Sequence, residues 1–270
     1  MDFKDILVHI DSTPQCATRL DLAINLATKQ KARLTGLYVY THHHYQPQGE
    51  SNNLKAMEAE RMFRVKTAAM GESAAWLAVD WGVVGVNMVE VLNYHAHAKD
   101  LIVVGQIDSK AQEGGVPADL PERVVLGSGR PVLIVPYAGT FGTIGERVIV
   151  GWKAGRASAR AINDAMPFLL NAKEVSVLSI TAVGDQPMAV KRPDGDICSH
   201  LKLYDINVKE ENLVTGDIPV ADIMMNYGWE NGCDLIVLGA YAHTSRGTLN
   251  LGPVASDLLG KMTLPVLMSH

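Results

Sequence analysis

A chain of 270 residues with 47% apolar and 20% charged side chains is long enough for two domains of ordinary size, each with its own core. Its 24 basic and 29 acidic residues leave a formal net charge of −5 and no basic cluster, which excludes an electrostatic nucleic-acid binder. No run approaches the roughly 20 apolar residues of a membrane helix, and no leader pattern precedes the first apolar run, so the sequence predicts a cytoplasmic protein.

The first element is Ile6-Leu7-Val8-His9-Ile10, a short strand that delivers Asp11 at its end. Leu20, Ala23, Ile24 and Ala27 then share one face of a helix. After the second strand comes His42-His43-His44. Adjacent histidines do not face one point and no ligand-spaced partner follows, so this reads as a polar loop and no metal site is expected. Glu50 to Ala78 has a long, mixed helical pattern and reads as a surface helix. In the helix before the fourth strand, His95 shares a face with Met88, Val91 and Leu92 and reads as a packed histidine beside His97. The fourth strand is Asp100-Leu-Ile-Val-Val-Gly105, followed by a structural helix at Leu120 to Gly127 and a fifth strand at Val132 to Val135.

Tyr137 to Gly145 carries three glycines and little periodicity, which marks a joint. Beyond it the pattern repeats. Val148-Ile-Val-Gly151-Trp152-Lys153 aligns with Ile6 to Asp11, Asp234-Leu-Ile-Val-Leu-Gly239 with Asp100 to Gly105, and Leu264 to Ser269 with Arg130 to Val135. Ala157, Ala161, Ala165 and Leu169 form the first helical face of this half. Val220, Ile223, Met224 and Tyr227 form a later one, started by Asp217 and Pro219. The tryptophans and methionines fall mainly in helical patterns and read as core filling. Cys16, Cys198 and Cys233 are odd in number and far apart, which predicts free thiols and no zinc or dithiol site.

Short continuous apolar strands alternating with helices predict an α/β fold: two tandem doubly wound parallel five-stranded sheets, helices on both faces, strand order 3-2-1-4-5. The predicted domains are 1–140 and 145–270. In such sheets ligands sit at the carboxyl ends of strands 1 and 4. The residues to question therefore follow Ile10 and Val104 in one half, Gly151 and Leu238 in the other.

The stretch from Asp234 through Gly239, Ala242 and Gly252 to Pro253 and Val254 resembles the signature of the universal stress protein family: glycine, two residues, glycine, nine residues, glycine, then serine or threonine. The resemblance covers both halves in element order and is strongest from Thr215 to His270. It implies the adenine nucleotide alpha hydrolase-like fold and a ligand site in the C-terminal half. By this resemblance the site comprises Trp152, Lys153, Gly239, Tyr241, Ala242, His243, Gly252, Pro253 and Val254, and takes ATP, another adenine nucleotide or a small anion. Glycines let backbone approach a phosphate chain, and a helix N-terminus offers free N–H donors. Ala242 replaces the second glycine, Pro253 the hydroxyl residue, and Lys153 the aspartate after strand 1, with Arg156 nearby. The N-terminal half keeps Asp11 and Gly105, but Asp108 follows and the glycine spacing is lost, so its site reads as degenerate.

No catalytic constellation appears, so the sequence predicts a non-enzymatic stress protein that requires no cofactor. The resemblance further implies that the halves pair through Val132–Val135 and Val266–Met268, and that whole chains dimerise. An alternative keeps both sites empty of nucleotide and places function in protein–protein contacts; a third is slow ATP hydrolysis.

Overall fold

The computed structural model describes residues 2–40, 48–80, 87–108, 115–182, 196–245 and 248–270. The His42 to His44 run lies outside them. The chain divides into two units, Asp2–Phe141 and Gly142–His270.

In the N-terminal unit the elements are β1 (Asp5–Ile10), α1 (Cys16–Gln30), β2 (Arg33–Tyr40), α2 (Gln48–Lys66), a 3-10 turn (Ala68–Ser73), β3 (Ala74–Asp80), α3 (Met88–Ala96), β4 (Leu101–Gly105), α4 (Leu120–Gly127) and β5 (Val132–Val135). The strands lie parallel in the order β3-β2-β1-β4-β5. Ile6, Leu7, Val8, Ile102 and Val103 are fully buried, because helices cover both faces of these central strands. Lys31 closes α1 in the left-handed region (φ 53), and Asn87 with Glu90 caps α3 reciprocally. His95 is half-buried on α3, as its helical face predicts. The helical reading of Glu50 to Ala78 runs too far: Ala74 already begins β3, which pairs with β2 from Leu34↔Ala74 onward. Alanine-rich sequence carries no strand signal of its own, and sheet pairing overrides it.

The C-terminal unit repeats the plan with β6 (Arg147–Gly151), α5 (Arg156–Leu169), β7 (Glu174–Ala182), α6 (Ile197–Lys202), β8 (Val208–Thr215), α7 (Val220–Glu230), β9 (Leu235–Gly239), α8 (Pro253–Lys261) and β12 (Val266–Ser269). Its parallel order is β12-β9-β6-β7-β8. Between β9 and α8 stands an antiparallel pair, β10 (Ala242–Ser245) and β11 (Thr248–Leu251), inside the glycine-spaced segment. The repeated aspartates show why the internal repeat is physical. Asp100 accepts from the Lys4 and Asp5 amides at 2.7 and 3.0 Å. Asp234 accepts from those of Glu146 and Arg147 at 2.9 and 3.0 Å. In each unit this carboxylate ties the start of the first strand to the start of the fourth.

The three described tryptophans do not fill helical cores. Trp76 is on β3, Trp152 follows β6, and Trp229 on α7 is 88% exposed. All three cysteines are buried free thiols. Burial pushes Cys198 and Cys233 up to about 11, so both stay protonated at neutral pH.

Candidate functional site

The C-terminal unit opens a cavity of about 840 Å³ where β6 and β9 end side by side. The chain leaves β6 through Trp152 to Gly155 and starts α5 at Arg156. Gly239 is what lets α5 come so close. A Cβ there would lie 2.5 Å from the Ser158 nitrogen and the Ala157 carbonyl carbon. This glycine is thus required for close helix–strand packing. Trp152, Lys153, Gly239, Tyr241, Gly252, Pro253 and Val254 all line the cavity, so the structure brings these predicted residues together. Ala242 and His243 belong to β10 and are not among the lining residues; the placement of their side chains lies outside what the structure describes.

Amide accounting changes the chemistry expected of the glycine segment. The Ala240 N–H donates to Ser269 O at 2.8 Å, that of Tyr241 to Gly239 O at 3.1 Å, and that of Gly252 to Tyr241 O at 2.7 Å. Pro253 has no N–H to give and occupies the first position of α8, where its fixed φ suits the helix. The Ala240, Tyr241 and Gly252 amides are therefore spent within the protein, which leaves the first-turn amides of Val254 and Ala255 on α8 as the backbone donors of this segment. Positive charge comes instead from side chains. Lys153 and Arg156 are exposed and have no hydrogen-bond or ion-pair partner among the described residues. Arg160, one turn further, is held by Asp164 at 2.7 Å. Among the described residues, no aspartate or glutamate lines the cavity.

Most of the rest of the lining is apolar, with Ser158 and His270 as polar members, and much of it comes from elements outside the glycine motif. Leu178 and Ile180 stand on β7, Val220 and Met224 on α7, and Leu238 on β9. Val220 and Met224 were visible as an i, i+4 pair on an apolar face. What the pattern did not reveal is that this face fronts a cavity as well as the core.

The N-terminal unit has the same crevice, reduced to about 270 Å³ and lined by Asp11, Gly105, Asp108 and Arg19 among others. Asp11 and Gly105 do meet there, but Arg19 stands between them and a ligand. Its guanidinium donates from Nη2 to Asp11 Oδ2 at 2.7 Å and from Nε to His9 O at 2.8 Å. It lies so tightly on Gly105 that a Cβ on that glycine would fall 2.1 Å from Nη1. Arg19 is only 3% exposed. Burial alone would raise the Asp11 carboxyl, but Arg19, helped by His9 and Thr13, holds it below the ordinary carboxylate range. Burial drives His9 down to about 4, against the pull of Asp11. Its Nε2 is buried without a hydrogen-bond partner. Arg19 escaped the sequence reading, although it shares the i, i+3, i+4, i+7 face with Leu22, Ala23 and Leu26, an unusual place for a guanidinium.

The universal stress protein family model matches residues 2–136. The match falls on the N-terminal half, whereas the glycine-segment resemblance is strongest in the C-terminal half. Among solved structures, a universal stress protein from Archaeoglobus fulgidus aligns over 98% of this chain and 95% of its own, with 15% identity and a TM-score of 0.74. A functionally unknown protein from Pseudomonas aeruginosa aligns over 99% and 92%, with 15% identity and a TM-score of 0.58. At such identities the likeness is one of fold. No curated protein matches the chain. None of the described helices is long and apolar enough to cross a membrane, and no group of metal-ligating side chains occurs among the described residues.

Proposed function

The chain belongs to the universal stress protein family, and on that premise we propose that it is a non-enzymatic ligand-binding protein of the cytoplasm. Its C-terminal unit takes a small anion, adenine nucleotides being the class the signature implies. The observation that supports this reading is the cavity of about 840 Å³ at the strand tips, with Lys153 and Arg156 on its rim and no acidic residue among the described residues of its lining. A volume of this size is in the usual range of small-molecule sites. Its charge selects anions. The buried free thiols fit a reducing compartment.

In this reading the N-terminal unit is a scaffold, since Arg19 occupies its crevice. Dimerisation of the whole chain belongs to the proposal and is read by light scattering. The second reading, action through protein contacts without nucleotide, draws on the spent amides of Ala240, Tyr241 and Gly252.

Native mass spectra of the freshly purified chain and of a Lys153→Glu/Arg156→Glu variant, with dialysis against labelled ATP, test the proposal. A retained small anion is expected in the first protein and absent from the second, and the labelled ATP reports whether that anion is a nucleotide. Both residues are exposed, so the variant is expected to fold as the unaltered chain does, which its circular dichroism checks. No retained mass, and no anion whose uptake distinguishes the two proteins, overturns the reading.

A further inference from the structure

The C-terminal cavity distributes its chemistry unevenly. Among the described residues its cations, Lys153, Arg156 and Arg160, cluster on the turn after β6 and the first residues of α5. Its apolar lining comes instead from β7, α7 and the end of β9, as Ile180, Leu178, Val220, Met224 and Leu238. We propose that this cavity is built for an amphiphilic monoanion: an apolar body carrying one carboxylate, sulfonate or similar head, and not a nucleoside triphosphate. The proposal deepens the reading of the cleft as an anion site and rests on it.

Three observations separate the two ligand classes. A ribose presents two hydroxyl donors, which a buried or half-buried acceptor must satisfy. The position after the first strand that holds Asp11 in the N-terminal unit holds Lys153 here, and no carboxylate lines the cavity among the described residues. A triphosphate needs several converging donors. The amides of Ala240, Tyr241 and Gly252 are bonded internally and Pro253 has none, which leaves only those of Val254 and Ala255 at the start of α8. A polar ligand that buried its groups against Ile180, Val220 and Met224 would lose hydration without recovering hydrogen bonds. An alkyl or aryl body gains there instead, at roughly 25 cal/mol for each Å² taken from water. The single head needs only Lys153 and Arg156, both exposed and without partners among the described residues, with the orphan N–H groups of the first turn of α5 beside them. The orientation follows: head at the β6–α5 turn, tail toward β7 and α7.

Titration calorimetry on the full chain with octanoate, 1-octanol, octylammonium and ATP tests this directly. Octanoate is expected to bind about ten-fold or more tightly than either 1-octanol or octylammonium, the gap being the work of the charged head. Lys153→Glu is expected to weaken octanoate about ten-fold and leave 1-octanol unchanged. Val220→Trp, which fills the apolar end, abolishes both. ATP binding without octanoate binding overturns the amphiphile and leaves the cleft standing as an anion site. Octanoate binding that ignores both variants places the ligand elsewhere and overturns the assignment. No binding of any probe overturns this inference and the ligand-site reading together.

Discussion

Replacing Arg19 by leucine tests whether the N-terminal crevice is closed by a structural ion pair. Arg19 and Asp11 are 3% and 9% exposed, and the guanidinium makes 2.7 and 2.8 Å bonds to Asp11 Oδ2 and His9 O. In the variant Asp11 keeps its bonds from Thr13, but its charge has lost its counter-ion in a dry setting. Removing one partner of a buried pair costs about 3–5 kcal/mol. Removing both costs far less, because no buried charge is then left alone. Urea unfolding of Arg19→Leu should show that loss, and Arg19→Leu/Asp11→Ala should recover most of it. A single variant within about 1 kcal/mol of the unaltered chain would refute the argument, as would a double variant no more stable than the single one.

Gly239→Ala drives a Cβ to 2.5 Å from α5 backbone that cannot rotate away, and overpacking of this kind costs about 1–3 kcal/mol. Gly252→Ala, whose nearest neighbour is Tyr241 O at 3.3 Å, should cost clearly less; equal urea midpoints would contradict the packing role of Gly239. Acid should destabilise the N-terminal unit in two steps. His9 is held neutral with a pKa of about 4 against 6.5 in the unfolded chain, so the unfolded state binds the extra proton between these values. Stability is then full above about pH 6.5 and falls toward pH 4 by at most about 3 kcal/mol. The lowered Asp11 adds a further loss only below the ordinary carboxylate range. Unfolding midpoints that stay flat from pH 6.5 to 4.5, or that keep their slope in His9→Asn, would remove His9 as the cause.

Much of the architecture was legible because it is written in residue type. Apolar runs such as Leu101 to Val104 and Leu235 to Leu238 need cover on both faces, and only helices crossing above and below supply it. The recurrence of Asp100 at Asp234 was legible too, although its task at the first strand was not. The crevice residues could be placed by topology, which brings Lys153, Gly239 and Gly252 to one cavity. The rest depends on geometry that residue type does not encode. Whether the Gly252 amide is available or spent on Tyr241 O is a matter of where β10 and β11 turn the chain. Arg19 was hidden because an arginine in a helix is ordinarily a solvated one, and only its position on the Leu22–Leu26 face marked it otherwise. Trp229 misled in the opposite direction: a helical tryptophan is expected inside, and here the exposed face carries it.

The contrast between the two crevices begins at the residue after the first strand. In the N-terminal unit that residue is Asp11, and Arg19 lies in the crevice against it. An arginine can lie there only if a carboxylate meets it, because a lone buried guanidinium costs several kcal/mol. In the C-terminal unit the residue after the first strand is Lys153, which would repel such an arginine. Asp11 with Arg19 thus gives a filled, self-neutralised cleft, whereas Lys153 gives the other crevice a positive charge that is left for a ligand to answer.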